Sequence, residues 1–142
     1  MRKIFTLLFV LAVLLYSSYA FAQDVGNKPA NRVIAYYFHG NFRCPTCHAM
    51  EQYSKEAIEN NFKDALSSGK LEFKVVNTDE RGNEHFVQDY QLYTKSLVLS
   101  LVKDGKEIKS KNLTKIWDRV RNKQSFIDYV NEEVASFLKE VK

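Results

Sequence analysis

The chain reads as an α/β protein, with a mixed sheet of four to five strands and helices on both faces. Three observations predict this. Arg32–Phe38 is β-branched and aromatic with almost no polar alternation, the mark of a strand buried on both faces. A long apolar stripe at three- and four-residue steps follows, and then a second strand-like run, Leu71–Asn77. A helix therefore crosses between two parallel strands, right-handed by the usual rule. Further along, Lys103-Asp104-Gly105-Lys106 reads as a tight hairpin turn, because Asp-Gly accepts the positive φ such turns demand. It adds an antiparallel pair.

The elements follow in order. His39-Gly40-Asn41-Phe42 is the turn out of the first strand, with Gly40 expected to supply backbone freedom. A helix is predicted from Pro45 to about Ser67, its stripe made of Cys47, Met50, Tyr53, Ala57, Ile58, Phe62, Ala65 and Leu66. Gly69 lies just past its end and suits a C-cap. After Leu71–Asn77 come a charged loop, Thr78–Asn83, and a short helix, Glu84–Gln91, carrying Phe86, Val87 and Tyr90. Ser96–Val102 is the third strand, and Glu107–Ser110 returns from the hairpin as a lysine-rich edge. Leu113–Val120 is a turn or two of helix with Trp117 as its expected core contact. Ser125-Phe126-Ile127-Asp128 resembles a capping box and is expected to open a last helix through Glu140. Phe126, Ile127, Val130, Val134 and Phe137 or Leu138 form its predicted buried stripe.

The only two cysteines lie in Arg43-Cys44-Pro45-Thr46-Cys47-His48, at the handover from the first strand to its helix. Two intervening residues place the sulfurs on one face of a helical first turn, which suits a reversible disulfide or half of a metal site. Pro45 disfavours helical angles at Cys44 and is itself well placed as the first helical residue. Cys44 then falls at the N-cap, with the free N–H groups of Thr46 and Cys47 near its sulfur. The helix dipole favours a thiolate there, and Arg43 and His48 add positive charge. Cys44 is therefore the expected nucleophile, and Cys47, one turn in and more covered, the resolving thiol. A structural staple is a poorer reading. So small a ring gains on the order of 2 kcal/mol, against roughly 3 for a 15-residue loop.

Met1-Arg2-Lys3, the apolar run Ile4–Leu15 and Ala20-Phe21-Ala22 together spell an export signal cut before Gln23; a retained membrane anchor is the rival. The expected organisation is a signal peptide at 1–22, a linker at 23–31 and one domain at 32–142, of a size that supports a proper core. Localisation would be periplasmic or secreted, with no membrane association after cleavage. Arg2 and Lys3 account for two of the 21 basic side chains, and the remainder exceed the 17 acidic ones by only two. The basic residues are scattered, which argues against nucleic-acid binding. No flavin or nicotinamide motif is present, and the expected cofactor set is empty.

With these residues in place the chain resembles the thioredoxin superfamily over nearly all of its length after the signal. The likeness lies in Val33–Phe38 followed by Cys44-Pro45-Thr46-Cys47, in Val75–Glu80 leading to Asp89-Tyr90-Gln91-Leu92, and in Leu97–Val102 with Lys103-Asp104-Gly105. More narrowly, Tyr36–Gly40 and Glu84–Tyr90 look like small exported thioredoxin-like proteins labelled as a nitrophenyl-compound nitroreductase subunit of the ArsF type. Reduction of nitro groups does not follow from these residues. The resemblance implies a thioredoxin-like fold, a thiol-disulfide oxidoreductase acting through Cys44 and Cys47, and protein thiols, disulfides or a dedicated redox partner as its counterpart. It also implies a monomer.

Three departures from the family pattern stand out. The proline that precedes the third strand in thioredoxins, in cis, is absent, and Leu97 or Ser96 takes its place. A cis bond without proline costs about 2.5–4 kcal/mol, so trans geometry is expected there. Phe42, Ser96 and Leu97 are then the expected substrate contacts, and Pro45 and Thr46 join Arg43 and His48 as residues expected to modulate the pair. Arg43 stands where an aromatic residue precedes the first cysteine. No carboxylate lies within Arg32–Phe38, which leaves His48, His39 or water for proton transfer at Cys47.

Other readings of the same residues stay open at this level. Cys44 and Cys47 with His48 or His39 suit a Cu(I) carrier. Cys44-Pro45-Thr46-Cys47-His48 also matches a c-type haem attachment site, with His48 and one of His39, His85 or Met50 as axial ligands. The third possibility is a non-catalytic accessory module that keeps the fold and uses its cysteines as a sensor.

Overall fold

The computed structural model describes residues 28–141; the predicted signal peptide and most of the predicted linker lie outside them. The chain runs β1 (Arg32–His39), α1 (Pro45–Asn61), α2 (Lys63–Ser67), β2 (Leu71–Asn77), α3 (His85–Asp89), β3 (Ser96–Lys103), β4 (Lys106–Asn112), α4 (Ile116–Arg119) and α5 (Lys123–Leu138). The strands form one sheet in the order β2-β1-β3-β4. β1 and β2 are parallel, while β1 with β3 and β3 with β4 are antiparallel. This is the thioredoxin-like α/β arrangement, with four strands among the described residues.

The near-continuous apolar run of β1 has its expected cause. Val33, Ala35 and Tyr37 enter a large core with Leu97, Leu99 and Leu101 of β3, Met50, Ala57 and Ile58 of α1, and residues of α5. Tyr36 and Phe38, pointing the other way, meet Val98, Leu92, Phe86 and Tyr90. The sheet is thus covered on both faces, by α1 and α5 on one side and by the α3 region on the other. The hairpin turn is as predicted, with positive φ at both Asp104 (50°) and Gly105 (77°). β4 is exposed along most of its length. Its Lys109 and Lys111 reach back to Glu140 (2.6 Å) and Glu133 (2.7 Å) at the far end of the chain.

Four local expectations need correction. The helix from Pro45 is not continuous to Ser67. Phe62 leaves helical angles (φ −128°, ψ 36°), just after Asn61, whose side chain donates to the Ala57 carbonyl at 3.0 Å. An asparagine bonding to the backbone in this way competes with helical continuation, although Gly69 does close the second piece with φ 72°. The last helix is capped not by Ser125 but by Asn122, whose side-chain oxygen accepts from the Ser125 N–H at 3.0 Å. The helix therefore opens at Lys123.

Trp117 is not the core contact of its segment. The residue is 37% exposed and its Nε1–H donates to the Lys95 carbonyl at 3.0 Å, while Ile116 is wholly buried. Finally, Gly40 is not needed for positive φ. A Cβ on it would stand 2.7 Å from Asp79 Oδ2, so what Gly40 makes room for is the Asp79 carboxylate.

The exchange of roles between neighbours 116 and 117 gives a direct test. Ile116→Ala should cost roughly 2–5 kcal/mol by leaving a core cavity, and Trp117→Ala clearly less, as read from urea unfolding midpoints.

Candidate functional site

The site is built where β1 ends. The chain leaves the sheet at His39, crosses four residues, and enters α1 with Cys44 as N-cap in an extended conformation (φ −90°, ψ 164°) and Pro45 in the first turn. Cys44 Sγ accepts from the Cys47 N–H at 3.2 Å, which is the capping bond expected of a side chain at this position. The two sulfurs are joined in a disulfide, with Cα atoms 5.0 Å apart. Cys44 is half-buried and Cys47 is 1% exposed. Cys44 is thus the less covered residue of the pair.

β1 also holds the helix from beneath. The Tyr37 hydroxyl, fully buried, donates to the Cys47 carbonyl at 2.7 Å. Burial, and secondarily the charge of Glu51, push its pKa well above the ordinary phenol value, so Tyr37 stays a neutral donor. Arg43 does not stand free beside the sulfur. Its guanidinium pairs with the Glu51 carboxylate of α1, which offsets the positive charge expected at Cys44. Pro45, Thr46 and His48 are exposed on the outer side of the turn.

The remaining predicted residues divide. Phe42 is 77% exposed, with Lys95 Nζ 5.6 Å from its ring centre, and is free to meet a partner. Ser96 and Leu97 are not. They are 4% and 0% exposed, Leu97 belongs to the main core, and Ser96 donates to the Thr94 carbonyl at 2.9 Å. Since β3 begins at Ser96, the accessible residues at this end are Tyr93, Thr94 and the half-covered Lys95. Peptide bonds are trans throughout the described residues.

His39 Nδ1 lies 3.0 Å from the Gly40 carbonyl, Met50 is fully buried, and His85 sits exposed on α3 against Asp89. Among the described residues, no three His, Cys, Asp or Glu side chains gather where they could hold a metal ion.

Next to the cysteine turn lies a cleft of about 230 Å³, bounded by Gly40, Phe42, Asp79, Leu92, Tyr93 and Lys95. Its floor is tied by hydrogen bonds between two loops. Thr78 N–H donates to the His39 carbonyl at 2.7 Å, Asn41 N–H to Asp79 Oδ2 at 2.7 Å, and Asn77 Nδ2 to Asn41 Oδ1 at 2.8 Å. Asp79, Glu51 and Tyr37 are the positioning residues that sequence reading missed. A signal existed for Glu51, four residues after Cys47 and so on its helix face; none existed for Asp79, which meets Asn41 across 38 residues.

No family model matches the chain, and no curated protein matches it. Several solved structures are similar to it. A thioredoxin of Fasciola hepatica aligns at 18% identity, covering 78% of this chain and 82% of its own, with a TM-score of 0.43. A mutant thioredoxin of Entamoeba histolytica aligns at 20%, covering 71% and 81%, with a TM-score of 0.40. A thioredoxin of Trypanosoma brucei brucei aligns at 13%, covering 73% and 76%, with a TM-score of 0.38. Likeness this distant says nothing about the site's chemistry, and the fold stands on its own strand order and register.

The close approach of Gly40 to Asp79 yields a double-mutant test. Gly40→Ala should destabilise by about 0.5–1.5 kcal/mol, because the exposed Asp79 carboxylate must swing aside and give up its bond from the Asn41 N–H. In an Asp79→Ala background the same change should cost clearly less, so that the two are non-additive in denaturant unfolding.

Proposed function

We propose that this protein is an exported thiol-disulfide oxidoreductase whose redox pair is Cys44 and Cys47. The observation that carries the reading is the unequal burial of two bonded cysteines, the less covered one sitting at a helix N-cap. A thiolate at that cap is stabilised by the helix dipole and by the Cys47 N–H.

From the oxidised pair, the thiolate of a partner dithiol attacks Cys44 Sγ. The Cys44–Cys47 bond breaks, and its electron pair leaves on Cys47, which takes a proton. The partner's second thiol then loses a proton and attacks the partner's own sulfur in the mixed disulfide. A partner disulfide forms and Cys44 departs as thiolate. Two electrons have moved to this protein. In reverse, Cys44 attacks a partner disulfide and Cys47 resolves the mixed bond.

The partner is a protein thiol or disulfide, and the cleft beside Phe42 is where its chain would lie. The export reading rests on Met1–Ala22, and the likeness to the small exported ArsF-type proteins agrees with it through Tyr36–Gly40 and Glu84–Tyr90. After cleavage the protein acts as a monomer outside the cytoplasm.

Two measurements check this. Cys47→Ser should accumulate a mixed disulfide at Cys44 with a test protein disulfide, stable in non-reducing electrophoresis and absent in Cys44→Ser. Failure to form it, together with stoichiometric Cu(I) on the reduced protein, would replace the exchange reading with a metal carrier. Intact mass of the protein from an exporting host should begin at Gln23; a retained Met1 would refute cleavage.

A further inference from the structure

The Arg43–Glu51 pair has properties that a surface ion pair lacks. Its side chains are only 21% and 27% exposed, so salt and solvent screen it less. Glu51 stands one turn beyond Cys47 on the same face of α1. Arg43, the residue before Cys44, thus reaches a carboxylate one turn beyond Cys47. A second observation adds a redox sense to this placement. Arg43 Nε is buried and has no hydrogen-bond acceptor. A buried donor left unmade is costly, and in the disulfide form neither sulfur carries charge to meet it. Reduction creates such a charge on Cys44, the residue directly after Arg43.

The geometry points to Arg43 as a positioning residue that, anchored by Glu51, offers its spare Nε–H to the Cys44 thiolate and so favours the reduced form, while the Glu51 carboxylate limits that preference. This deepens the reading of Cys44 and Cys47 as an exchanging pair and rests on it. The electron balance is the one given above: two electrons come from a partner dithiol, Cys44 leaves as thiolate, Cys47 takes one proton, and Arg43 keeps its charge throughout. Two other titratable groups face this turn. Tyr37 donates to the Cys47 carbonyl as a neutral phenol, and His48 is exposed on the outer side.

The test is the equilibrium of each protein with reduced and oxidised glutathione. Arg43→Met removes donor and charge and leaves Glu51 unopposed, so the equilibrium constant for reduction should fall about tenfold. Glu51→Gln keeps an oxygen for Arg43 but removes the opposing charge, and the constant should rise by about three- to tenfold. Arg43→Lys, which keeps the charge without the forked donor, should fall by less than Arg43→Met.

Opposite signs for the Arg43 and Glu51 variants support the inference. A pair that only clamps the loop would shift both in the same direction, or shift unfolding midpoints alone, and either result overturns it. If the unmodified protein exchanges with glutathione and the signs agree, the exchange reading survives and only the role of Arg43 falls. If it reaches no equilibrium with glutathione at all, the role of Arg43 falls, while the exchange reading stands or falls on the Cys47→Ser trap.

Discussion

Strand β1 is hydrogen-bonded along both edges, to β2 and to β3, and its side chains alternate between two apolar layers. Among the described residues β3 is the other strand held this way, between β1 and β4. A one-residue slip would exchange Val33, Ala35 and Tyr37 with Tyr36 and Phe38, putting each set against the wrong layer. The end of β1 is therefore positioned to within a fraction of a residue step, and the cysteine turn hangs from that end. Tyr37 carries the constraint onward, since its buried hydroxyl fixes the carbonyl of Cys47.

The turn uses that rigidity to separate two identical side chains. Cys44 and Cys47 share chemistry and differ in environment: one caps a helix with part of its surface free, while the other is sunk against the core. A pair in which both sulfurs were exposed would leave a mixed disulfide open to any passing thiol. One in which both were buried would not react. The cleft beside it is walled by three loops that the sheet order brings together: the ends of β1 and β2 and the approach to β3. Parallel β2 and antiparallel β3 flank β1, so two strand ends and one strand start meet at this edge.

Much of this was legible beforehand. β1, β2 and β3 were recognisable because period-two and continuous apolar runs reflect burial directly, and the Asp104-Gly105 turn because few residue types accept its φ angles. The cap position of Cys44 followed from Pro45 alone. The failures have a common form. Ser125 and Asn122 both qualify as caps, Ile116 and Trp117 both qualify as core, and a local pattern does not choose between neighbours. The folded arrangement chose: Ile116 enters the core beside α5, and the Asn122 side chain accepts from the Ser125 N–H. Ser96 and Leu97 were placed at the substrate edge by alignment to a proline, yet β3 already begins at Ser96 and draws both side chains inside.

The order of elements, the spacing of the cysteine pair and the cap position of Cys44 were written in residue types and spacings, because each depends on neighbours within one turn or one strand. The electrostatic setting of that dithiol was not. Arg43 reads locally as a free cation beside Cys44, and only folding of α1 brings Glu51 onto it. Gly40 reads as a flexible turn residue, and only the parallel pairing of β2 with β1 brings Asp79 against it. Charge and close approach act through space over distances that chain order does not encode, so the tertiary structure alone decided them.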